Sequence, residues 1–174
     1  MKLLLHACCA DCLIKFLDSA EKSGDSFEEI VVYFYNPNIQ PRSEYLLRLR
    51  ESKKLVEERN IKLVVADWSP KEYFKALKSK KKGKRCVDCW QLRLEKTVKE
   101  ADKEGFKLVS STLINSQYQN REKIKEISEE LSKEYKVNFY WPKELSQIKT
   151  KGFYKQNYCG CCYSLVERLE EKFN

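Results

Sequence analysis

Apolar and polar positions along the chain form two periodic patterns that predict strands and helices in turn. Short runs dense in leucine, β-branched and aromatic residues predict strands, because such runs fit a sheet that is buried on both faces. Longer segments with apolar residues three or four positions apart predict amphipathic helices. The predicted strands cover residues 2–7, 29–35, 61–68, 106–111 and 137–141, and the predicted helices cover about 11–22, 43–59, 121–135 and a C-terminal stretch that ends near 173.

Two further helices have clear boundary signals. Ser69, Pro70 and Glu72 form the pattern of a capping box with proline at the first helical position, so a helix is predicted to begin there. Another helix, with Trp90 on its apolar face, is predicted to end at Gly105, because glycine readily adopts the left-handed conformation that closes a helix.

The order of these elements predicts the fold class. Five apolar strands separated by helices indicate an α/β protein with a mostly parallel sheet covered by helices on both faces. The connections between such strands are right-handed crossovers. A chain of 174 residues is within the usual size of one domain, so we expect residues 1–174 to form a single domain.

Positive charge is concentrated in one segment. Lysine and arginine number 34 against 26 acidic residues, which gives a net charge of +8. The segment 78–85 (KSKKKGKR) carries six positive charges and no acidic residue. Two interpretations stay open: a solvated surface loop, or an arm that contacts phosphates and binds RNA without reading its sequence.

The first residues of the chain bear on its compartment. Met1–Leu5 has the charge and the leucines of a signal peptide, but His6 interrupts the apolar run after three residues. A secretory segment needs roughly seven to fifteen apolar residues and a membrane span about twenty. We therefore expect a cytoplasmic protein with no membrane partner, in which thiols stay reduced.

The eight cysteines fall into three groups, each expected to precede a helix: Cys8, Cys9 and Cys12; Cys86 and Cys89; Cys159, Cys161 and Cys162. The start of a helix favours the thiolate, which is the form that binds metal. Three interpretations stay open, namely an iron–sulfur cluster, a structural zinc ion, and a redox dithiol at Cys9 and Cys12. A single zinc ion would leave about half of the thiols unexplained.

Two residues beside or within these groups each have two interpretations, and a third has one. His6 is either a hydrogen-bonded packing residue or a proton donor, since its ordinary pKa lies near neutrality. Asp11 is either a helix cap or an oxygen ligand to a metal ion with an open position. Cys162 is expected to act as a small apolar residue.

Several motifs occur together in an order that resembles the epoxyqueuosine reductase family of the cobalamin-independent type. The match spans nearly the whole chain, and the order of the motifs is more specific than any one of them. The motifs are LHACCADC at 5–12, FYNPNI at 34–39 with Pro41, Glu44 and Tyr45, RC at 85–86 with Cys89, Arg93 and Leu94, STL at 111–113, and YCGC at 158–161 with Tyr163 and Ser164.

The resemblance implies a reaction, a fold and cofactors. The reaction is the removal of the epoxide oxygen of epoxyqueuosine at the wobble position of tRNA, which completes queuosine biosynthesis and requires an electron donor. The fold is adenine-nucleotide-hydrolase-like, a Rossmann-like α/β type. The cofactors are a [4Fe–4S] cluster and an additional iron ion. The resemblance places the thiol ligands at Cys8, Cys9, Cys12, Cys86, Cys89, Cys159 and Cys161.

Within this hypothesis Asp11 is a further candidate ligand, and Asp11 and His6 are the candidate catalytic proton donors. Asp11 stands where many relatives have proline, which makes its ligand role less secure than that of the thiols. Two rival functions are a zinc-stabilised RNA-binding module without catalysis and a dithiol–disulfide oxidoreductase.

Substrate contacts are expected from aromatic and basic residues. An enzyme that acts on a nucleobase stacks the extruded base on aromatic side chains, and Lys80–Arg85 would hold the anticodon backbone. The alternative for the tyrosines is packing in the core. The candidate substrate-binding residues are Tyr35, Asn36, Lys84, Arg85 and Tyr163.

Overall fold

A computed structural model describes residues 1–173 and contains a five-stranded sheet in which every pair of neighbouring strands is parallel. The strands lie in the order β3-β2-β1-β4-β5. The predicted fold class is therefore confirmed. The strands are β1 (Lys2–His6), β2 (Glu29–Phe34), β3 (Lys62–Val65), β4 (Leu108–Ser111) and β5 (Asn138–Phe139).

Helices cover both faces of this sheet, as the apolar strands required. Leu3 and Leu5 of β1 pack with one set of helices, and Leu4, which points to the opposite face, packs with the other. The helices are α1 (Ala10–Lys22), α2 (Arg42–Glu58), α3 (Pro70–Ala76), α4 (Lys84–Glu104), α5 (Arg121–Tyr135) and α6 (Cys162–Phe173), and a 3-10 turn covers Thr112–Asn115.

Most predicted boundaries agree with the structure within a few residues. Gly105 closes α4 with a φ of 77°, as predicted. Strands β3 and β5 are shorter than predicted, because they lie at the two edges of the sheet and each pairs with one neighbour only. Helix α3 begins at Pro70 as predicted, but the capping box does not form. Glu72 instead accepts a hydrogen bond of 2.5 Å from the Tyr35 hydroxyl.

The expectation that Cys86 and Cys89 precede a helix was wrong. Helix α4 begins at Lys84, directly after Gly83 with its φ of 85°, so both cysteines lie within its first two turns. Three of the six residues at 84–89 are charged, so these turns lack a continuous apolar face. The apolar pattern that announces the helix begins only at Trp90.

The connections place the chemistry at one edge of the sheet. From β1 the chain leads to β2 on one side, whereas β4 pairs with β1 on the other side. The carboxyl ends of β1 and β4 thus flank a topological switch point, where ligands of open parallel sheets bind. Cys8 and Cys9 follow β1 directly at this point.

The outer surface of helix α6 differs from that of the other helices. Its apolar residues Val166, Leu169 and Phe173, whose spacing is that of a helix, are exposed. Among the helices of residues 1–173, none combines the length and apolarity that crossing a bilayer requires.

Candidate metal centre

Three thiols meet at the carboxyl end of β1. The sulfurs of Cys8, Cys9 and Cys12, which we call the first thiol group, all lie within 4.8 Å of one another and are buried. The Sγ atoms of Cys8 and Cys9 are 3.8 Å apart. Sulfurs that share one tetrahedral ion with metal–sulfur bonds of about 2.3 Å lie about 3.8 Å apart. The first thiol group therefore has the spacing of ligands to a single metal ion.

The surrounding backbone holds this group in place. Cys9 is the N-cap of α1, and its sulfur accepts a hydrogen bond from the backbone N–H of Cys12 at 3.5 Å. The Thr112 hydroxyl, from the turn after β4, accepts from the Cys8 N–H at 3.2 Å and donates to the Cys8 sulfur at 3.5 Å. The Gln156 side-chain amide donates to the Cys9 sulfur at 3.2 Å. Each sulfur contact is a hydrogen bond that favours a thiolate.

The protonation of the first thiol group is uneven. Hydrogen bonds with the Cys12 and Cys9 thiols hold the pKa of Cys8 well below its usual range, and the Arg93 guanidinium acts in the same direction. The pKa of Cys12 is raised, because its thiol is hydrogen-bonded to Cys8 and Cys9 and is buried. Three buried thiolates at this spacing repel one another, so a cation between them is what would allow all three to ionise.

A second set of thiols lies between α4 and the loop before α6. Cys86, Cys89, Cys159 and Cys161, which we call the second thiol group, line one small cavity. The sulfurs of Cys159 and Cys161 are 3.7 Å apart. The backbone N–H of Ser164 donates to the Cys161 sulfur at 3.3 Å in the first turn of α6. Four cysteine thiolates are the ligand set that a [4Fe–4S] cluster takes.

The second thiol group also contains one thiol that ionises more readily than its neighbours. The hydrogen bond with the Cys161 thiol lowers the pKa of Cys159 to about 7, although burial opposes this. Burial raises the pKa of Cys89 to about 12, against the effect of the Arg93 guanidinium. Cys162 lies outside both groups of thiols and is half-buried.

Two buried arginines connect the thiol groups. Arg93 is 2% exposed, lines the cavity of the second thiol group, and lowers the pKa of Cys8 in the first. Its Nη2 donates to the Asn36 amide oxygen at 2.6 Å, and no carboxylate among residues 1–173 forms an ion pair with it. A buried cation needs a compensating anion. The Cys8 thiol, whose pKa is lowered beside Arg93, is the group placed to provide it.

Arg48 is the second of these arginines, and it carries its own counter-charge. Its Nε donates to Glu44 at 2.6 Å, and its guanidinium donates to the backbone carbonyls of Cys159 and Tyr158. Arg48 thereby fixes the loop that carries half of the second thiol group onto α2.

His6 is fully buried beneath the first thiol group. Its Nε2 lies 3.1 Å from the backbone carbonyl oxygen of Tyr35, which can only accept, and its Nδ1 lies 2.8 Å from the Ser111 hydroxyl. The neutral ring therefore donates through Nε2 and accepts at Nδ1. Burial lowers the pKa of His6 to about 3, and the nearby Arg93 acts in the same direction. These contacts are those of a neutral packing histidine.

Asp11 lies at the start of α1, and each of its carboxylate oxygens contacts a side chain outside the first thiol group. One oxygen is 2.8 Å from the Lys15 ammonium, and the other accepts a hydrogen bond from the Thr150 hydroxyl. Among the described residues, the metal-binding groups that lie close together here are the thiols of Cys8, Cys9 and Cys12, and the Asp11 carboxylate is not one of them. The carboxylate borders a cavity that Cys12 and Lys15 also line.

The five predicted substrate-binding residues lie in different environments. Tyr35 and Asn36 are buried, and Asn36 also donates to the Ala7 carbonyl at 2.9 Å. Arg85 is buried in an ion pair with Glu167 and lies over the ring of Tyr163. Lys84 is exposed at the start of α4 and Tyr163 is half-buried. Of the five predicted residues, Lys84 and Tyr163 are therefore the two that are accessible to solvent.

Two neighbouring cavities lie between the basic segment and the first thiol group, and no motif of the sequence predicts them. One cavity is lined by Lys82 and residues of α6, and the other by Asp11 and Cys12. They share Gln117 and Tyr118. Tyr118 is 38% exposed, so its ring is available for stacking. A larger concavity of about 580 Å³ lies at the amino-terminal edge of the sheet, away from all the thiols.

The fold and these sites define a class: a Rossmann-like α/β protein whose buried cysteine cluster, at the switch point of the sheet, is able to bind a metal ion.

Comparisons with known proteins give the family. The sequence model of "Epoxyqueuosine reductase QueH" matches residues 3–167. The protein of that name from Acinetobacter baylyi is 35% identical, with 94% of this chain and 80% of the relative covered. Those from Thermotoga maritima (32% identical, 97% and 92% covered) and Dehalococcoides mccartyi (35% identical, 97% and 94% covered) are similar over the same region. The chain belongs to the QueH family of epoxyqueuosine reductases, which are oxidoreductases.

Proposed function

We propose that this protein is a cytoplasmic epoxyqueuosine reductase that acts on tRNA. The observation that carries the proposal is the convergence of seven thiols from distant chain segments into two groups connected by a buried arginine, in a member of this family. The second thiol group would hold a [4Fe–4S] cluster, since it supplies four cysteines. The first thiol group would hold an additional iron ion, since its three sulfurs have single-ion spacing and leave one position open.

The reaction sets what the residues must do. Converting the epoxide to an alkene breaks two carbon–oxygen bonds, consumes two electrons and two protons, and releases water. The inorganic centres would supply the electrons, received from an external donor, and a Lewis acid for the departing oxygen. The chain itself must position the epoxide beside the first thiol group, exclude excess water and deliver two protons.

Proton delivery is best supported for Asp11. Asp11 lines the cavity next to Cys12 and is hydrogen-bonded to the Lys15 ammonium at 2.8 Å. His6 is fully buried, and both of its ring nitrogens are already hydrogen-bonded. We therefore place Asp11 as the proton donor and His6 as the residue that positions the end of β1. A ligand role for Asp11 would require its carboxylate to leave Lys15 and Thr150.

The proposed route for tRNA follows the two neighbouring cavities. Lys82 and the other exposed lysines of the basic segment lie at one end, the first thiol group at the other, and Tyr118 between them. Phosphates would be held by the lysines while an extruded base stacks on Tyr118. Tyr118 takes this role in place of Tyr35, which is buried.

Anaerobic purification followed by a turnover assay tests the proposal. The protein should be brown, with absorbance near about 400 nm, and should convert epoxyqueuosine to queuosine in tRNA when given a chemical reductant. A colourless zinc protein that binds tRNA without turnover would favour the RNA-binding module. A colourless protein that reduces disulfides would favour the dithiol oxidoreductase.

Replacing Arg93 by methionine is expected to shift the reduction potential of the cluster downward. A buried positive charge stabilises the reduced, more negative state, so its loss should lower the midpoint potential by on the order of tens of millivolts and slow turnover. A spectroelectrochemical titration measures the shift. Arg50→Met, at an exposed position on α2, is the matched control and should leave the potential unchanged. An unchanged potential in Arg93→Met would contradict this role.

Removing the exposed lysines at positions 81, 82 and 84 should weaken tRNA binding and flatten its salt dependence. Each lost phosphate contact lowers the slope of log affinity against log salt by about 0.7–0.9. Binding measured at several salt concentrations gives the slope. The control replaces Lys123, Lys125 and Lys133 of α5 by alanine, which changes the net charge equally. Equal slopes for the two triple variants would argue against a phosphate-binding role for the basic segment.

A further inference from the structure

One cavity beside the first thiol group contains polar atoms that the protein does not satisfy. It has a volume of about 50 Å³, is partly open to solvent, and is lined by Asp11, Cys12, Asn115 and Gln156 among others. Asn115 is 8% exposed, yet neither its amide nitrogen nor its amide oxygen has a hydrogen-bond partner in residues 1–173. The Gln156 amide oxygen is likewise buried without a partner.

A buried amide without a hydrogen-bond partner lowers the stability of the fold, and the side chains of Asn115 and Gln156 are held in place in different ways. Leaving a buried donor or acceptor unpaired costs about 1–3 kcal/mol per group. The Gln156 nitrogen is committed to the Cys9 sulfur at 3.2 Å, so its oxygen is held as an acceptor. Asn115 ends the 3-10 turn after β4, whose first residue, Thr112, is hydrogen-bonded to Cys8. The hydrogen bond to Cys9 therefore positions the Gln156 amide, and the turn that begins with Thr112 positions the Asn115 amide. Both amides are thus held beside the first thiol group.

We infer that Asn115 and Gln156 form a subsite for a vicinal diol, an inference that rests on the proposed function. A hydroxyl group both donates and accepts, and two adjacent hydroxyls match a primary amide that offers a donor and an acceptor side by side. The cyclopentane ring of epoxyqueuosine carries two adjacent hydroxyls next to its epoxide. With the diol on Asn115 and one of its hydroxyls donating to Gln156, the same ring would lie in the cavity that Cys12 also lines. Asn115 and Gln156 are then specificity-determining residues that touch substrate.

Binding of tRNA that carries the product separates this subsite from backbone contacts. Queuosine retains the diol, whereas the same tRNA with unmodified guanine at the wobble position lacks it. The wild-type holoenzyme should bind the queuosine form about tenfold or more tightly, since two neutral hydrogen bonds are at stake. Asn115→Ala should lose this preference while its affinity for the guanine form stays the same. In turnover, Asn115→Ala should raise KM more than it lowers kcat.

A control variant and a turnover assay distinguish failure of the diol subsite from failure of the proposed reductase function. Asn138→Ala removes an exposed asparagine on β5 and should keep the wild-type preference. If the wild-type protein turns over epoxyqueuosine but Asn115→Ala keeps its full preference for the queuosine form, the subsite is refuted and the proposed function stands. If the wild-type protein neither turns over the substrate nor distinguishes the two tRNAs, both fail. A misfolded Asn115→Ala would lose affinity for the guanine form as well. In that case Asn115→Asp, which keeps an acceptor but not the donor, should show a partial preference for the queuosine form. If Asn115→Asp showed no such preference, the inference would be overturned.

Discussion

Replacing Cys89 by alanine is expected to abolish turnover and to remove the absorbance near about 400 nm. Cys89 is 9% exposed and supplies one of four sulfurs around a single cavity, so no spare thiol of that group remains to complete the ligand set. Iron bound to the first thiol group should persist, because Cys8, Cys9 and Cys12 come from a different segment of the chain. Metal analysis and anaerobic spectroscopy measure both effects, and activity should fall by at least about a hundredfold.

Cys162→Ala is the matched control for this substitution. Cys162 begins α6 beside the second thiol group but lies outside its cavity. The Cys162→Ala variant should keep the colour, iron content and activity of the wild-type protein. If Cys89→Ala were to retain both iron and turnover, the second thiol group could not be the cluster site.

Replacing Gly160 by alanine should damage the same group without touching a sulfur. Gly160 lies between Cys159 and Cys161 with a φ of 121°, which L side chains rarely adopt. An added Cβ would be 3.0 Å from the Ile39 side chain and 3.1 Å from Arg48. We expect the free energy of unfolding to fall by about 2–3 kcal/mol and the cluster to be lost more rapidly. Anaerobic denaturation and the rate of colour loss measure the two effects.

Gly152→Ala separates conformational strain from the collision. Gly152 also has a positive φ of 81°, but its added Cβ would meet no atom within 4 Å. It should cost less stability and leave the colour stable. A Gly160→Ala variant that matched Gly152→Ala in both measurements would show that the close approach of Ile39 and Arg48 does not matter.

The fold could be predicted largely from the sequence, because its signals are local. The boundaries of α5 and the closure of α4 at Gly105 follow from apolar periodicity and one glycine. The capping box at Ser69 failed because a distant partner, the Tyr35 hydroxyl, engages Glu72. That competition depends on how β2 packs against α3, which spacing along the chain does not reveal.

The site could be predicted only in part, because it depends on contacts between residues that are far apart in the sequence. The sequence identified the cysteines but not their division, since three sequence groups become two spatial groups when Cys86 and Cys89 meet Cys159 and Cys161. Gln156 belongs to a stretch without periodic structure, and nothing nearby along the chain links it to Cys9. Arg93 could be placed in a motif, but its position between both thiol groups requires the packing of α4 on the sheet.

In the proposed enzyme, thiols from remote segments assemble two distinct iron sites. Diffraction from anaerobic crystals, recorded on both sides of the iron absorption edge, would locate both sites. Two anomalous peaks are expected, a strong one bonded to the sulfurs of Cys86, Cys89, Cys159 and Cys161 and a weaker one bonded to those of Cys8, Cys9 and Cys12. A single peak, a peak that responds only at the zinc edge, or sulfurs that bond no metal would contradict the proposal.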